Sequence, residues 1–101
     1  MTREVSFRPD AKADLRGLYD HIANEAGAAT AGHYVDQLAA ACLRLRDFPE
    51  RGRRRDDIAP GLRTIAFERR VLIAYRVLPG TVEIVAILYG GRALTPALGD
   101  R

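Results

Sequence analysis

The fold is decided by three runs near the C-terminus: LRTIAF at 62–67, VLIAYRVL at 71–78 and TVEIVAILY at 81–89. Each run is rich in β-branched, leucine and aromatic residues, which favour strands. The runs are separated only by ERR at 68–70 and by PG at 79–80. Because connections this short join neighbouring antiparallel strands, the sequence predicts a three-stranded antiparallel meander.

Two amphipathic helices are predicted upstream of the meander. Pro9 and Asp10 favour a helix start, and apolar residues then recur every three or four positions. Gly27 interrupts the pattern, Thr30 is suited to cap the second helix, and Pro49 ends it. So short a connection predicts an antiparallel helical hairpin. The apolar stripes contain Ala11, Leu15, Leu18, Ile22 and Ala26 in the first helix and Ala31, Tyr34, Val35, Leu38, Cys42 and Leu45 in the second.

The remaining segments complete the predicted topology. Val5 and Phe7 alternate with Glu4, Ser6 and Arg8, which is typical of a half-buried strand. On the first helix, Asp14, Arg16, Asp20 and Asn24 fall opposite the apolar stripe, so we expect them in solvent. Residues 50–61 form a charged loop. The sequence therefore predicts an α+β domain of the order β-α-α-β-β-β, with the helical hairpin packed on one face of a small antiparallel sheet, and a single domain over residues 1–101.

Composition narrows the functional classes. The 101 residues are 48% hydrophobic, which suffices for one modest core. Cys42 is the only cysteine, so no internal disulfide can form. Because the chain has only His21 and His33 in addition, we expect no metal site and no cofactor, and we expect a buried, structural role for the thiol. No run approaches the roughly 18 apolar residues of a membrane span, and Met1 is not followed by a signal peptide, so we expect a cytoplasmic protein.

The last two strands are apolar on both faces, whereas antiparallel sheets covered on one side normally alternate. Two helices cover one face only. The second face is therefore expected either to bind a protein partner or to lie under the loop between Arg51 and Gly61. Arginines near this sheet, at Arg63, Arg76 and Arg92, favour a partner that combines apolar residues with carboxylates.

Four motifs between about Val5 and Arg92 resemble those of one known protein family. Residues 13–23 (ADLRGLYDHIA) are similar to the family's first helix, and residues 52–63 (GRRRDDIAPGLR) match its most specific segment. Residues 73–77 (IAYRV) and 82–92 (VEIVAILYGGR) resemble its last two strands. Two positions depart from the pattern, since Tyr89 stands where many members have histidine and Ala86 where many have arginine.

The resemblance implies the toxin of a type II toxin-antitoxin system, in the ParE branch of the ParE/RelE superfamily. It implies inhibition of DNA gyrase and neutralisation by a ParD-like antitoxin in a hetero-oligomer, with operator DNA bound only through the antitoxin and no contact with a membrane. On this basis we expect antitoxin-binding residues at Arg63, Ile73, Tyr75, Arg76 and Arg92, and target-binding residues at Tyr89, Arg92 and Leu94. No catalytic residue is expected.

The RelE branch is the alternative, because it shares the fold and cleaves messenger RNA on the ribosome. That reaction needs a base for the attacking ribose hydroxyl and positive charge on the phosphate. Arg63, Arg76 and Arg92 could bind the phosphate and Tyr89 could move a proton, but the sheet offers no convincing base. The two histidines of the chain, His21 and His33, are expected to be ordinary helix residues.

A nucleic-acid clamp is the third possibility. Arg51, Arg53, Arg54 and Arg55 could contact phosphates. The adjacent carboxylates favour instead a solvated loop with an internal pair such as Arg55 with Asp57. We therefore expect no direct nucleic-acid site in this loop.

Overall fold

The computed structural model describes residues 3–90. All three runs of the meander are strands with the predicted bounds, and the order of the main helices and strands agrees with the prediction. The α+β fold class is therefore confirmed, and one further short strand forms within the charged loop. The elements are β1 (Glu4–Phe7), α1 (Pro9–Ala26), α2 (Ala28–Arg44), a 3-10 turn (Pro49–Arg51), β2 (Arg53–Arg54), β3 (Leu62–Phe67), β4 (Val71–Leu78) and β5 (Thr81–Tyr89).

The sheet is mixed, whereas we expected it to be antiparallel throughout. Its strand order is β1-β5-β4-β3-β2, and the meander β3-β4-β5 is antiparallel as predicted. β1 pairs with β5 in parallel, with Val5 beside Val82 and Phe7 beside Ile84. This pairing depends on where α1 and α2 return the chain, which the alternation within residues 4–8 does not specify.

Gly27 makes the whole connection between the helices. It ends α1 and precedes α2, and its φ of 93° is a conformation that other residues rarely adopt. The second helix therefore begins at Ala28, and Thr30, which we expected as its cap, lies inside it. Among residues 3–90, neither helix combines the length and apolar character that crossing a bilayer requires.

The main core lies between the helical hairpin and one face of the sheet, which we call the helix face. The predicted helix stripes supply much of it, and the sheet contributes alternate residues of β4 and β5. Cys42 is fully buried here, and desolvation raises the pKa of its thiol to about 12. The burial predicted for Cys42 is confirmed. The buried members are Ala11, Leu18, Leu38, Cys42, Leu45, Val71, Ile73, Tyr75, Val82, Ile84 and Ile87.

Asp14 departs from the expected solvated position. Its side chain is buried, and its Oδ2 accepts a hydrogen bond of 3.0 Å from the backbone N–H of Ile87. β1 pairs with β5 only as far as Ile84, so Ile87 lies beyond the end of β1. The carboxylate of Asp14 supplies an acceptor at that point and ties α1 to β5.

Candidate partner-binding site

Two residues that we expected at a partner surface belong to the core instead. Ile73 and Tyr75 are 1% and 0% exposed and pack beneath the helices. The Tyr75 hydroxyl accepts a hydrogen bond from the Gly52 N–H and donates one to the Pro49 carbonyl, both at 2.8 Å. Burial is the main cause of the raised pKa of Tyr75. Neither side chain can contact a partner directly.

Arg63 also lies on the helix face rather than outward. It precedes Ile65 and Phe67 on the alternating β3, and both of these pack against the main core. Its Nη1 donates to the carbonyl oxygens of Glu50, at 3.1 Å, and Gly52, at 3.0 Å. Arg63 therefore holds the segment before β2 in place. Arg92, the last of the expected antitoxin contacts, lies outside the described residues.

The second face of the sheet is largely closed, contrary to the open apolar surface that favoured a partner. Its members Leu62, Ala74, Val85, Ala86 and Leu88 are at most 3% exposed. Several of these side chains are small. Ile58 and Ala59 of the charged loop and Leu72 of β4 pack against them. Within residues 3–90, the alternative that the chain's own loop covers this face is the one the structure supports.

One end of the second face remains polar and accessible. Arg76 of β4 lies opposite Glu83 of β5, and Arg8, directly after β1, approaches Glu83 with a distance of 3.9 Å between Nη1 and Oε1. The side chains of Arg8 and Glu83 are 38% and 21% exposed. Leu78 lies two residues beyond Arg76, on the same side of β4, and is 40% exposed. We call Arg8, Arg76, Leu78 and Glu83 the arginine patch.

The guanidinium groups of the patch are incompletely paired. The Nε atoms of Arg8 and Arg76 are both buried and have no hydrogen-bond partner among the described residues. One carboxylate, that of Glu83, lies beside two guanidinium groups. The patch therefore carries an excess of positive charge and of unused donors, together with an exposed leucine.

Tyr89, the described member of the expected target-binding residues, lies at the opposite end of β5 from the patch. The His21 ring of α1 lies 5.7 Å from its ring, measured between centroids and tilted by 35°. Leu94 lies outside the described residues. The sequence did not predict the contact between His21 and Tyr89, because residues so far apart along the chain meet only in the folded protein. Tyr89 therefore has a histidine beside it although the sheet itself contains none.

Tyr89 and His21 line a pocket of about 550 Å³ between the helices and the β3–β4 turn. Arg69 and Arg70 of that turn lie at the same pocket. Glu68 and Arg69 have φ values of 52° and 61°, a left-handed conformation that is costly for residues with a side chain. Such strain often marks functional positions. The sequence does not reveal this strain, because neither Glu68 nor Arg69 is a glycine that would indicate a left-handed conformation.

The arginine-rich loop is internally paired. Arg55 forms two hydrogen bonds of 3.0 Å to Asp57, as we predicted, and Arg54 contacts Asp56 at 2.8 Å. These contacts remove half of the four basic groups that a clamp on nucleic acid would use. Within residues 3–90, no three histidine, cysteine, aspartate or glutamate side chains are grouped so as to hold a metal ion.

Comparison with known proteins assigns the family. Residues 5–94 match the family described as ParE toxin of type II toxin-antitoxin system, parDE. The chain is 31% identical over 101 residues to Toxin ParE3 of Caulobacter vibrioides, covering 100% of this chain and 99% of that protein. It also resembles a chain of a chromosomal ParDE toxin-antitoxin system from P. aeruginosa, with a TM-score of 0.77 and 26% identity over 87% of this chain and 96% of the other. The protein therefore belongs to the ParE toxin family of type II toxin-antitoxin systems.

Proposed function

We propose that this toxin inhibits DNA gyrase in the cytoplasm and is neutralised by a ParD-like antitoxin. The observation that carries the proposal is the family match over residues 5–94, supported by the full-length similarity to Toxin ParE3. Gyrase acts on cytoplasmic DNA, which fixes the compartment of the proposed activity. The antitoxin would form a hetero-oligomer with the toxin and would make the contact with operator DNA.

The proposed mode of action is binding rather than catalysis. We assign target binding to the segment that begins at Tyr89 and continues through Arg92 and Leu94. In support, Tyr89 is partly exposed and borders the pocket at the end of β5, where the sheet meets the helical hairpin. The antitoxin is assigned to the second face around Arg76, with Arg92 as a further contact. Arg63, Ile73 and Tyr75 would support these contacts from within the fold.

RNA cleavage is the second candidate, favoured by one observation. His21 approaches Tyr89, and the pocket that they line also receives Arg69 and Arg70. An imidazole, a phenol and two guanidinium groups are the kinds of side chain that can transfer a proton and stabilise a phosphate. The ParE assignment favours gyrase, whereas this geometry keeps the ribonuclease hypothesis testable.

A paired assay decides between the two activities. The toxin is purified from its antitoxin complex and added to gyrase with relaxed plasmid, and in parallel to ribosomes translating a defined messenger RNA. We expect supercoiling to be inhibited and the messenger to remain intact. A His21→Ala variant is assayed in parallel, since it removes the imidazole that RNA cleavage in this pocket would use. Messenger cleavage with unaffected supercoiling, abolished by His21→Ala, would contradict the proposal and support the ribonuclease.

A further inference from the structure

We infer that the arginine patch binds an acidic side chain of the antitoxin, seated between Arg8 and Arg76 with an adjacent apolar residue on Leu78. This inference rests on the proposed function and adds the chemistry by which the partner is recognised. Three observations carry it: the unused guanidinium donors, the shortage of negative charge beside them, and the exposed leucine on the same side of the sheet.

The donors come first. A buried N–H without an acceptor has lost its water and gained nothing in exchange, so native structures seldom contain one without a reason. Here two such groups, the Nε atoms of Arg8 and Arg76, flank the same strand. Guanidinium groups bind carboxylates through paired N–H donors, commonly in bidentate geometry. A carboxylate entering between them, with a small shift of either side chain, would accept hydrogen bonds from both.

The local charge selects an anion. Glu83 is the carboxylate that forms an ion pair with the patch in the described part of the chain, and its contact with Arg8 is long at 3.9 Å. Arg76, across from Glu83 on the neighbouring strand, is not within ion-pair distance of a carboxylate in the described part of the chain. The two guanidinium groups therefore have one long ion pair between them, and a further carboxylate would supply closer acceptors.

The position of Leu78 distinguishes a peptide from a small anion. The leucine is 40% exposed and follows Arg76 by two positions on the same side of β4. An apolar side chain next to the acidic residue would cover it and shield the charged contact from water, as in the centres of many protein interfaces. The chemistry fits an acidic and apolar peptide segment, and the antitoxin is the peptide partner that the family assignment supplies.

The test compares matched variants in the toxin-antitoxin complex. Arg8→Gln, Arg76→Gln and Leu78→Ser are purified with the antitoxin, separated, refolded and titrated with it by calorimetry. Arg16→Gln is the control, since Arg16 is an exposed residue of α1 outside the patch. We expect each arginine variant to weaken binding by about tenfold or more, which is the size of coupling measured for close charge pairs at interfaces. The control should bind within about twofold of the unmodified toxin.

Two further measurements make the result decisive. A double-mutant cycle between Arg8→Gln and neutral substitutions of each acidic antitoxin residue should identify one carboxylate whose effect depends on Arg8. Folded variants that bind the antitoxin with unchanged affinity would overturn the inference. Variants that still bind the antitoxin but lose a salt-dependent binding of the toxin to DNA would overturn it as well. Gyrase inhibition by the same preparations is the separate readout: its absence in the unmodified toxin would contradict the proposed function and not the patch.

Discussion

The phenol oxygen of Tyr75 lies 2.8 Å from the amide nitrogen of Gly52, across 23 positions of sequence. Through this bond and a second one to Pro49, the central strand β4 fixes the start of the charged loop. Arg63 adds two hydrogen bonds to the same segment. The loop then continues to Ile58 and Ala59, which pack on the second face. The buried hydroxyl of Tyr75 thus holds the start of the loop whose later residues cover the second face of the sheet.

Replacement of Tyr75 by phenylalanine tests this connection. Tyr75→Phe removes the hydroxyl and leaves the Gly52 N–H and the Pro49 carbonyl buried without a partner. The free energy of unfolding should fall by about 1–3 kcal/mol. Urea unfolding measures the change, and Tyr19→Phe on α1 is the matched control, expected within about 0.5 kcal/mol of the unmodified protein. Equal stability of the two variants would mean that the hydroxyl does not hold the loop.

Gly52 offers a second test of the same contact. A Cβ atom at this position would lie 2.8 Å from the Cε1 and Cζ atoms of Tyr75, in steric conflict with a ring that cannot move within the core. Gly52→Ala should destabilise the protein by about 1–3 kcal/mol.

Gly32 supplies the control for that substitution. It lies inside α2, and a Cβ atom there meets nothing within 4 Å. Gly32→Ala should therefore stabilise the protein by about 0.5–1 kcal/mol, since alanine restricts the unfolded chain. Thermal unfolding compares the two variants. A Gly52→Ala protein as stable as Gly32→Ala would disprove the close approach of Gly52 and Tyr75.

The fold could be predicted because its main elements have local signals. The spacing of apolar residues gave both helices, and the two short connections gave the meander. The expected partner surface was less accurate, because it included Tyr75 and Arg76 together. Neighbouring residues of a strand point to opposite faces, so only one of the two can belong to any one surface. β4 is apolar on both faces, and alternation alone could not say which face the helices cover.

Other site residues depend on distant parts of the chain. Asp14 meets Ile87 across 73 positions, and Arg63 reaches back to Glu50 and Gly52. When the partner of a charged side chain is a backbone group, no residue of opposite charge in the sequence indicates the contact. Asp14 follows Ala11 by three residues and precedes Leu18 by four, so helical spacing already places it on the buried side of α1, and only its charge led us to expect it in solvent.

The acid dependence of the loop follows from Asp56. Its Oδ1 accepts a 2.8 Å hydrogen bond from the Gly61 N–H, and this bond is the main cause of a pKa below the ordinary carboxyl value, with Arg54 contributing. A lowered pKa means that the bond stabilises the folded loop above the unfolded-state pKa of about 3.9 and is lost as pH falls through the folded value. The Gly61 amide signal in NMR should therefore shift with a midpoint below pH 3.9. A midpoint at or above that value would contradict the bond, and Asp56→Asn should abolish the shift.

Cys42 should be chemically inert in the folded protein. The thiol is fully buried, and burial raises its pKa to about 12, so almost none of it is thiolate at neutral pH. We expect no labelling by a thiol reagent at pH 8 in buffer and complete labelling in strong denaturant. Mass spectrometry measures both. Rapid labelling of the folded protein would mean that α2 opens readily from the sheet.

The bond between Asp14 and Ile87 gives the last prediction, and it separates a structural role from a functional one. Asp14→Ala leaves the buried Ile87 N–H without this acceptor and should lower the free energy of unfolding by about 1–3 kcal/mol. Asp20→Ala, at an exposed position of the same helix, should change it by less than about 0.5 kcal/mol. Hydrogen exchange at Ile87 is the direct measure, because its amide should exchange faster in Asp14→Ala alone. Antitoxin affinity should be unchanged in both variants at a temperature where they are folded, since the side chain of Asp14 lies between α1 and the sheet and away from the arginine patch. If Asp14→Ala lost antitoxin binding while Ile87 exchanged as slowly as before, the carboxylate would have a role in recognition and not in holding α1 to β5.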